Sequence, residues 1–380
     1  MTESPMENAP APTRSTLTTD QLFVNLGPQH PSTHGVLRVA LTLEGEVIVK
    51  AVPEVGYLHR GTEKLAEARG YGQGVVLADR CDYVSAMTNE LAFCLAAERL
   101  LGVQAPERAD RLRVIMCELN RIASHLVFVG TYGIDLGAWT ILLHAFRERE
   151  MIMDLFEAVC GARLTYNYIR VGGVQGDLPS GWTERCREFL RYFKPRLREY
   201  DDLLSFNPIF LDRTKKVGLI SRQQALDWGL SGPNLRASGV RYDARVFEPH
   251  CRYDEYEFEV PLGETGSCFD RYYCRVREMW QSIRIVEQAL DALKDGETLA
   301  KVPKVLKPAP GQAYAHVEGS RGDLGVFLVS DGTACPYRMH MRAPSFIHTS
   351  ILQELLVGQR LADVVAILGS IDIVLGEVDR

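Results

Sequence analysis

Between Asp82 and Gly161 the sequence carries three apolar-periodic segments in succession, a pattern that only a bundle of long helices can bury. Val84, Met87, Leu91, Cys94, Leu95 and Leu101 recur near the i, i+3, i+4 spacing, and Gly102 supplies a stop. Pro106 opens the second segment, with Leu112, Ile115, Leu119, Ile122, Leu126 and Val129 on one face and an end expected near Gly130–Gly133. The third is expected to begin after Asp135 and Gly137 and to run to about Gly161. Beyond the loop Arg170–Pro179, further helices are expected from about Trp182 to Leu204 and over roughly Cys268–Lys294.

Shorter segments flank this core. Leu22–Leu26 reads as a strand that enters a turn-rich loop, Gly27 to Gly35. Leu37, Val39, Leu41 and Leu43 alternate at strict period two, Glu44-Gly45-Glu46 turns the chain, and Val47–Val52 returns as the other arm of a hairpin. The stretch Val217–Pro261 is mixed and aromatic, and reads as an inserted subdomain with one or two hairpins. A Pro-rich linker, Lys301–Pro310, leads to strand-like runs at Gln312–Glu318 and Gly325–Ser330. The fold class is therefore α+β: a central long-helix bundle with small antiparallel β elements at the N-terminus and near the C-terminus. The expected division is a disordered tail (1–20), an N-terminal β subdomain (21–60), the bundle core (61–216), an inserted mixed α/β subdomain (217–266), and a C-terminal part (267–380) of helix, β hairpin and tail that completes the core.

Composition narrows the function classes. At 380 residues the chain has room for a large core, and its 46% hydrophobic and 24% charged content is ordinary for a globular protein. A net charge of −6, with basic and acidic residues interleaved as in Arg108–Arg113, argues against a nucleic-acid surface. No uninterrupted apolar run is long enough to span a bilayer, so membrane association is expected through partner chains. Residues Met1 to Thr19, rich in Pro, Ser and Thr, carry no apolar h-region and do not resemble a transit peptide. The nine cysteines contain no C-x-x-C pair, so they read as reduced core thiols rather than a disulfide framework or a cluster cradle.

Few residues stand out as chemistry. His30 and His34 are four apart, the zinc spacing of a helix, but Pro31 and Gly35 place them in a loop. They are either turn histidines or, for His34, a proton source near neutral pH. Tyr83, in Asp79-Arg80-Cys81-Asp82-Tyr83, reads as an amphipathic aromatic opening a helix. Asp135 is placed before the third helix, where a carboxylate suits the macrodipole. Arg60 and Arg80 have acidic neighbours and read as ion-pair residues.

The motifs in combination carry more. Leu26–Arg38 (Leu-Gly-Pro-Gln-His-Pro-Ser-Thr-His-Gly-Val-Leu-Arg) resembles the signature of the D-subunit family of bacterial complex I, the NADH:quinone oxidoreductase, counterpart of the mitochondrial 49 kDa-type quinone-site subunit. Val55–Leu65, Asp79–Ser85, Glu118–His125, Gly172–Pro179, Gly325–Gly332, Arg342–Phe346 and Asp372–Arg380 match in order, so the likeness covers nearly everything after the tail. That family is similar to the large subunit of nickel–iron hydrogenases, whose metals are held by two C-x-x-C pairs. This chain has neither, and soft thiolate ligation of such a centre is excluded.

The resemblance implies a site and its surroundings. His34 and Tyr83 match the residues that hydrogen-bond the quinone head group, and Asp135 the acidic partner of that histidine. Arg60 and Arg80 match arginines near a terminal 4Fe-4S cluster that the B subunit ligates. Thr165 stands where many members have a histidine that tunes that cluster with pH, so the resemblance does not carry this coupling over. It implies no cofactor or metal on this chain alone, quinone as substrate, and FMN and further iron–sulfur clusters elsewhere in the complex. The implied partners are the B, C and I subunits of the peripheral arm and the H subunit of the membrane arm, at the cytoplasmic side of the cell inner membrane. A zinc hydrolase on His30 and His34, a hydrogenase-related or ferredoxin-linked protein, and a scaffold that has lost its site are the competing classes. An intact His34, Tyr83 and Asp135 set argues against the scaffold.

Overall fold

A computed structural model describes residues 21–29 and 35–380; the N-terminal tail and the pair His30 and His34 lie outside them. The fold is α+β, as the periodicities require. Strands β1 (Gln21–Leu26), β2 (Arg38–Glu44) and β3 (Val47–Glu54) form an antiparallel sheet in that order. Its alternation buries Leu37, Val39, Leu41 and Leu43 on one face. Two short helices follow that the periodicity did not announce, α1 (Thr62–Glu67) and α2 (Tyr71–Asp79).

The bundle is built from α3 (Ala86–Leu101), α4 (Glu107–Asp135), α5 (Trp139–Cys160) and α6 (Trp182–Tyr200), the last prolonged by a π turn over Asp201–Ser205. A small pair, β4 (Ile169–Arg170) and β5 (Gly173–Val174), lies between α5 and α6. Helix α4 is the axis, buried along most of its length. It does not stop at Gly130–Gly133. A Cβ at Gly130 would lie 2.8 Å from Leu142 Cδ1, and one at Gly133 would lie 2.1 Å from Ile141 Cγ2. These glycines are contact points that let α5 approach the α4 backbone, not helix stops. Asp135 is consequently the last residue of α4 rather than a residue leading into α5, and the C-terminal end of the helix dipole does not favour its charge. Tyr83 likewise does not open a helix; it stands in the turn before α3.

The expected hairpins within Val217–Pro261 are absent. Among the described residues this stretch holds short helices, α8 (Arg222–Asp227), α9 (Gly232–Ala237) and α10 (Ala244–Phe247), preceded by α7 (Pro208–Thr214). Side-chain caps start several of them: Asn207 for α7, a Ser221/Gln224 capping box for α8, and Asp243 for α10. Helix α11 (Cys268–Asp291) then packs along α4. Strands β6 (Gly311–Glu318), β7 (Asp323–Ser330) and β8 (Arg338–Arg342) form a second antiparallel sheet, one strand larger than expected. The chain ends in α12 (Pro344–Ser350), α13 (Leu352–Leu355), α14 (Val364–Ile371) and α15 (Leu375–Asp379), the last two almost wholly buried. All nine cysteines are free thiols, seven of them buried. Among the described residues no helix is long and apolar enough to cross a membrane.

Candidate active site

The C-terminal segment closes a chamber against the bundle. Asp372 adopts a left-handed φ of 58° at the end of α14, a conformation that Asp tolerates better than most residues. The turn brings Ile373 and Val374 opposite α4. Together with Tyr83, Val84, Val127, Thr131, Ile134, Asp135, Arg321 and Asp372 they line a cavity of about 330 Å³. Its walls are mostly aliphatic, with a phenol and a carboxylate among a few polar groups, which is the usual character of a small-molecule site. Clefts of about 760 Å³ beside Gly70–Val75 and about 430 Å³ beside Glu98 and Arg113 offer no such phenol–carboxylate pair, and in a third, of about 480 Å³ beside Glu257, the Tyr253 and Tyr256 hydroxyls are engaged by Glu118 and Arg111.

Two of the residues singled out from sequence thus meet in one chamber, Tyr83 and Asp135. Burial pushes the Tyr83 phenol above its ordinary range, and the neighbouring Asp82 carboxylate adds to the effect. The phenol therefore stays protonated at neutral pH. His34 is outside the described residues, but the chain resumes next to it at Gly35, where a Cβ would lie 2.9 Å from Leu375 Cδ1. One residue on, a Cβ at Gly376 would lie 3.3 Å from Tyr83 Cε1. The exit of the histidine loop is therefore seated on the start of α15, beside the Tyr83 turn.

Arg60 and Arg80 are brought together, but on the surface rather than in the chamber. Arg60 Nη2 donates to the Arg80 carbonyl at 2.8 Å, and Arg80 Nη1 donates to the Val76 carbonyl at 2.9 Å. Arg80 also stands 3.7 Å from Asp79. Both residues are exposed, and the Arg60 charge opposes the rise of the Tyr83 phenol. Thr165 occupies a left-handed position, φ 55°, in the loop after α5.

Sequence reasoning missed the charged floor of the chamber. Arg321, at the tip of the β6–β7 hairpin, pairs with Asp82 at 2.6 Å, with Asp372 at 3.5 Å, and donates to Ser124 Oγ at 3.3 Å. Arg275 of α11 stands 3.5 Å from the other Asp372 oxygen and lies over the Phe128 ring, 4.3 Å from its centroid. Glu377 is buried beside them and accepts the Ser345 N–H at 2.8 Å. Burial, reinforced by Asp82, pushes Glu377 up to about 8, so its carboxyl holds a proton at neutral pH. The one available signal was acidic residues inside an apolar run, Asp372 between Ile371 and Ile373.

A buried ionic network holds the hairpin tip in place. Arg121 Nη1 donates to the Gly319 carbonyl at 2.8 Å and its Nε to Glu118 at 3.2 Å. Glu118 also receives Tyr253 Oη at 2.7 Å, Ser282 Oγ at 2.6 Å and Arg245 at 3.1 Å. Burial opposes the charge of Glu118, yet Arg121 and Arg245 hold it ionised, at about 2. Arg236 ties Glu278 at 2.6 Å to Glu318 at 2.7 Å, and Glu278 meets His125 at 2.9 Å. A full set of partners is what makes so many buried charges tolerable. Among the described residues no three His, Cys, Asp or Glu side chains converge as a metal site.

Fold and chamber define a helical-bundle protein with an acid–base cavity between its central helix and its own C-terminal segment. Residues 135–380 match the family model described as the 49 kDa subunit of respiratory-chain NADH dehydrogenase. The D subunit of the NADH-quinone oxidoreductase of Desulforamulus reducens is 53% identical over 364 residues, 96% of this chain and all of the relative. The proteins of the same name from Bacillus mycoides and Bacillus anthracis are each 51% identical over 362 residues, 95% of this chain and 99% of theirs. The chain belongs to this 49 kDa, or D-subunit, family of the respiratory NADH–quinone oxidoreductase.

Proposed function

We propose that this chain is the quinone-site subunit of a proton-translocating NADH–quinone oxidoreductase, and that the Tyr83–Asp135 chamber is where the quinone head group is reduced. The observation that carries this reading is the chamber itself: a phenol and a carboxylate in an aliphatic cavity over a charged floor, in a chain that matches its D-subunit relatives over nearly its whole length. Activity belongs to the assembled complex, and none is expected of the isolated chain.

Quinone reduction adds two electrons and two protons, and the chain's own residues provide for the protons. Tyr83, with a hydroxyl that ionises above the reference value of about 10, keeps its proton until a strongly basic oxygen forms beside it. His34 gives the second proton, and Asp135 stabilises the imidazolium and then responds to its loss. The resulting change of charge is the trigger passed to the membrane arm. A 4Fe-4S cluster held by the B subunit would supply the electrons, and the exposed Arg60 and Arg80 would favour its reduced form electrostatically. The C, I and H subunits complete the surroundings, FMN and the other clusters lie elsewhere in the complex, and the chain is peripheral at the cytoplasmic side of the cell inner membrane.

The test is Tyr83→Phe in the assembled complex. Quinone turnover is expected to fall by about 100-fold or more, in keeping with loss of a general acid, while NADH still reduces the cluster. Normal turnover in that variant rules out the donor role.

A further inference from the structure

The chamber has one wall on α4 and another on the turn after α14, and one buried side chain touches the scaffold of both. Helix α14 ends at Ile371 with carbonyls that no further turn can satisfy. Arg275 Nη1 donates to the Ser370 carbonyl at 3.1 Å, and Nη2 to the Ile371 carbonyl at 3.1 Å. Its Nε stands 3.5 Å from the carboxylate of Asp372, whose left-handed backbone starts the turn. The same guanidinium lies over the Phe128 ring, 4.3 Å from its centroid, and Phe128 adjoins Val127 in the opposite wall. Other groups tether the turn: Asn234 Nδ2 shares the Ile371 carbonyl at 3.0 Å, and the Val374 N–H reaches Ser345 Oγ at 3.3 Å. Arg321, which lines the chamber, pairs with the Asp372 side chain, whereas Arg275 grips the backbone.

That grip has little slack. Nη1 also donates to the Arg271 carbonyl, one turn back on α11, at 2.8 Å, and Nη2 to Asn234 Oδ1 at 3.2 Å. The two amino groups thus commit all four hydrogens to fixed acceptors, in a plane that only a guanidinium supplies. Helix α11 packs along α4, so the fork ties the end of α14 to the position of α4. Inward movement is blocked. A Cβ at Gly369 would lie 2.8 Å from Tyr132 Cδ2 and 3.0 Å from Asp135 Oδ2, so α14 already rests on the last turn of α4. The direction left open on losing the fork is outward, away from α4.

We propose that Arg275 is a positioning residue for the quinone chamber: it fixes how far the Ile373–Val374 turn stands from α4, and so how tightly the head group is held. The proposal rests on the reading of this chamber as the quinone site. Arg275 is not among the residues that line the cavity and acts through the backbone of the turn. Ile373 and Val374 are the side chains that meet the ring, and their distance from Val127 and Ile134 is what the guanidinium sets.

The assembled complex carrying Arg275→Lys, Val374→Ile or both tests this, with kcat and KM measured for a short-chain quinone. Lysine keeps the charge and loses the fork. In Arg275→Lys, KM is expected to rise about tenfold, roughly what one charge-assisted hydrogen bond is worth, while kcat stays within about threefold. Val374→Ile adds a methylene to the wall, so it should raise KM about fivefold in the parent yet lower it in Arg275→Lys, which a general loss of structure would not do. An unchanged KM in Arg275→Lys overturns the proposal, because charge alone then suffices. So does a fall in kcat at constant KM, or a double variant that binds no better than Arg275→Lys. If Arg275→Lys does not assemble, Phe128→Leu decides, since it removes the ring beneath the guanidinium: a KM raised about threefold or more supports the positioning role, and a parent KM overturns it. Full turnover in Tyr83→Phe sinks the reading of the chamber, whereas an inactive Tyr83→Phe with a parent KM in Arg275→Lys sinks the positioning role alone.

Discussion

Replacing Arg321 with leucine strips the cation from the hairpin tip and leaves Asp82 and Asp372 buried on the chamber floor. The lost contacts are the 2.6 Å pair to Asp82, the 3.5 Å pair to Asp372 and the bond to Ser124. Removing one partner of a buried ion pair costs about 3–5 kcal/mol, because the stranded charge remains. At 1.36 kcal/mol per decade that is about a 10²- to 10⁴-fold drop in the folded-to-unfolded ratio. The deficit depends on pH, and its sign is fixed. Burial already raises Asp82, and Arg321 is the strongest force pulling it back. In the variant the folded carboxyls bind protons more tightly than the unfolded chain, whose values are near 4. Stability then falls as pH rises from about 4 towards the folded values, so the deficit is smallest at pH 5 and largest at pH 8. Urea unfolding followed by the fluorescence of the four tryptophans measures it at both pH values. A loss below about 1 kcal/mol at pH 8, or a deficit no smaller at pH 5, refutes the reasoning.

Gly133→Val sets a side chain 2.1 Å from Ile141 Cγ2, so overpacking should cost about 1–3 kcal/mol by the same unfolding measurement and displace Asp135, two residues on. A variant as stable as the parent would mean that α4 and α5 are not in close contact. His316 is clamped between Asp323 at 2.6 Å and Glu248 at 2.8 Å, which push it up to about 9, Asp323 most strongly. A raised histidine contributes its stability fully below about pH 6.5 and loses it as pH rises through 9. His316→Gln should therefore cost about 1–2 kcal/mol at pH 6, after allowance for the exposed Glu248 end, and little at pH 9.5. Equal costs at both pH values would contradict the clamp.

The helices that hold the chamber were legible because their apolar faces are long. Periodicity found α3 through α6 and α11 to within a few residues, and alternation found β2 and β3. Helix α1, at six residues, is too short to show a period. Gly130 and Gly133 misled in an instructive way: the residue that ends a helix in one setting permits a close helix contact in another, and only the position of α5 decides. That error carried Asp135 from the end of α4 to the start of α5. The region after Val217 misled because its aromatics suggested strands, although the Ser221-x-x-Gln224 box was there to be read.

Half of the candidate site was legible. Tyr83 and Asp135 emerged from resemblance, and the structure brings them into one cavity. The floor did not emerge, because a lone Asp, Glu or Arg in sequence reads as surface, and pairing reveals itself only in space. Arg321 is 239 residues from Asp82, a separation that no local pattern spans.

The central claim is that quinone is reduced in the cavity between Tyr83 and the C-terminal turn, and a photoreactive short-chain quinone tests it most directly. Irradiation of the assembled complex followed by peptide mass spectrometry should place the label on residues 127–135, on Tyr83–Val84 or on Ile373–Val374, with competition by unmodified quinone. Competed label concentrated in the larger cleft around Gly70–Val75 and Val302–Leu306, with none on the Tyr83 side, would contradict the account.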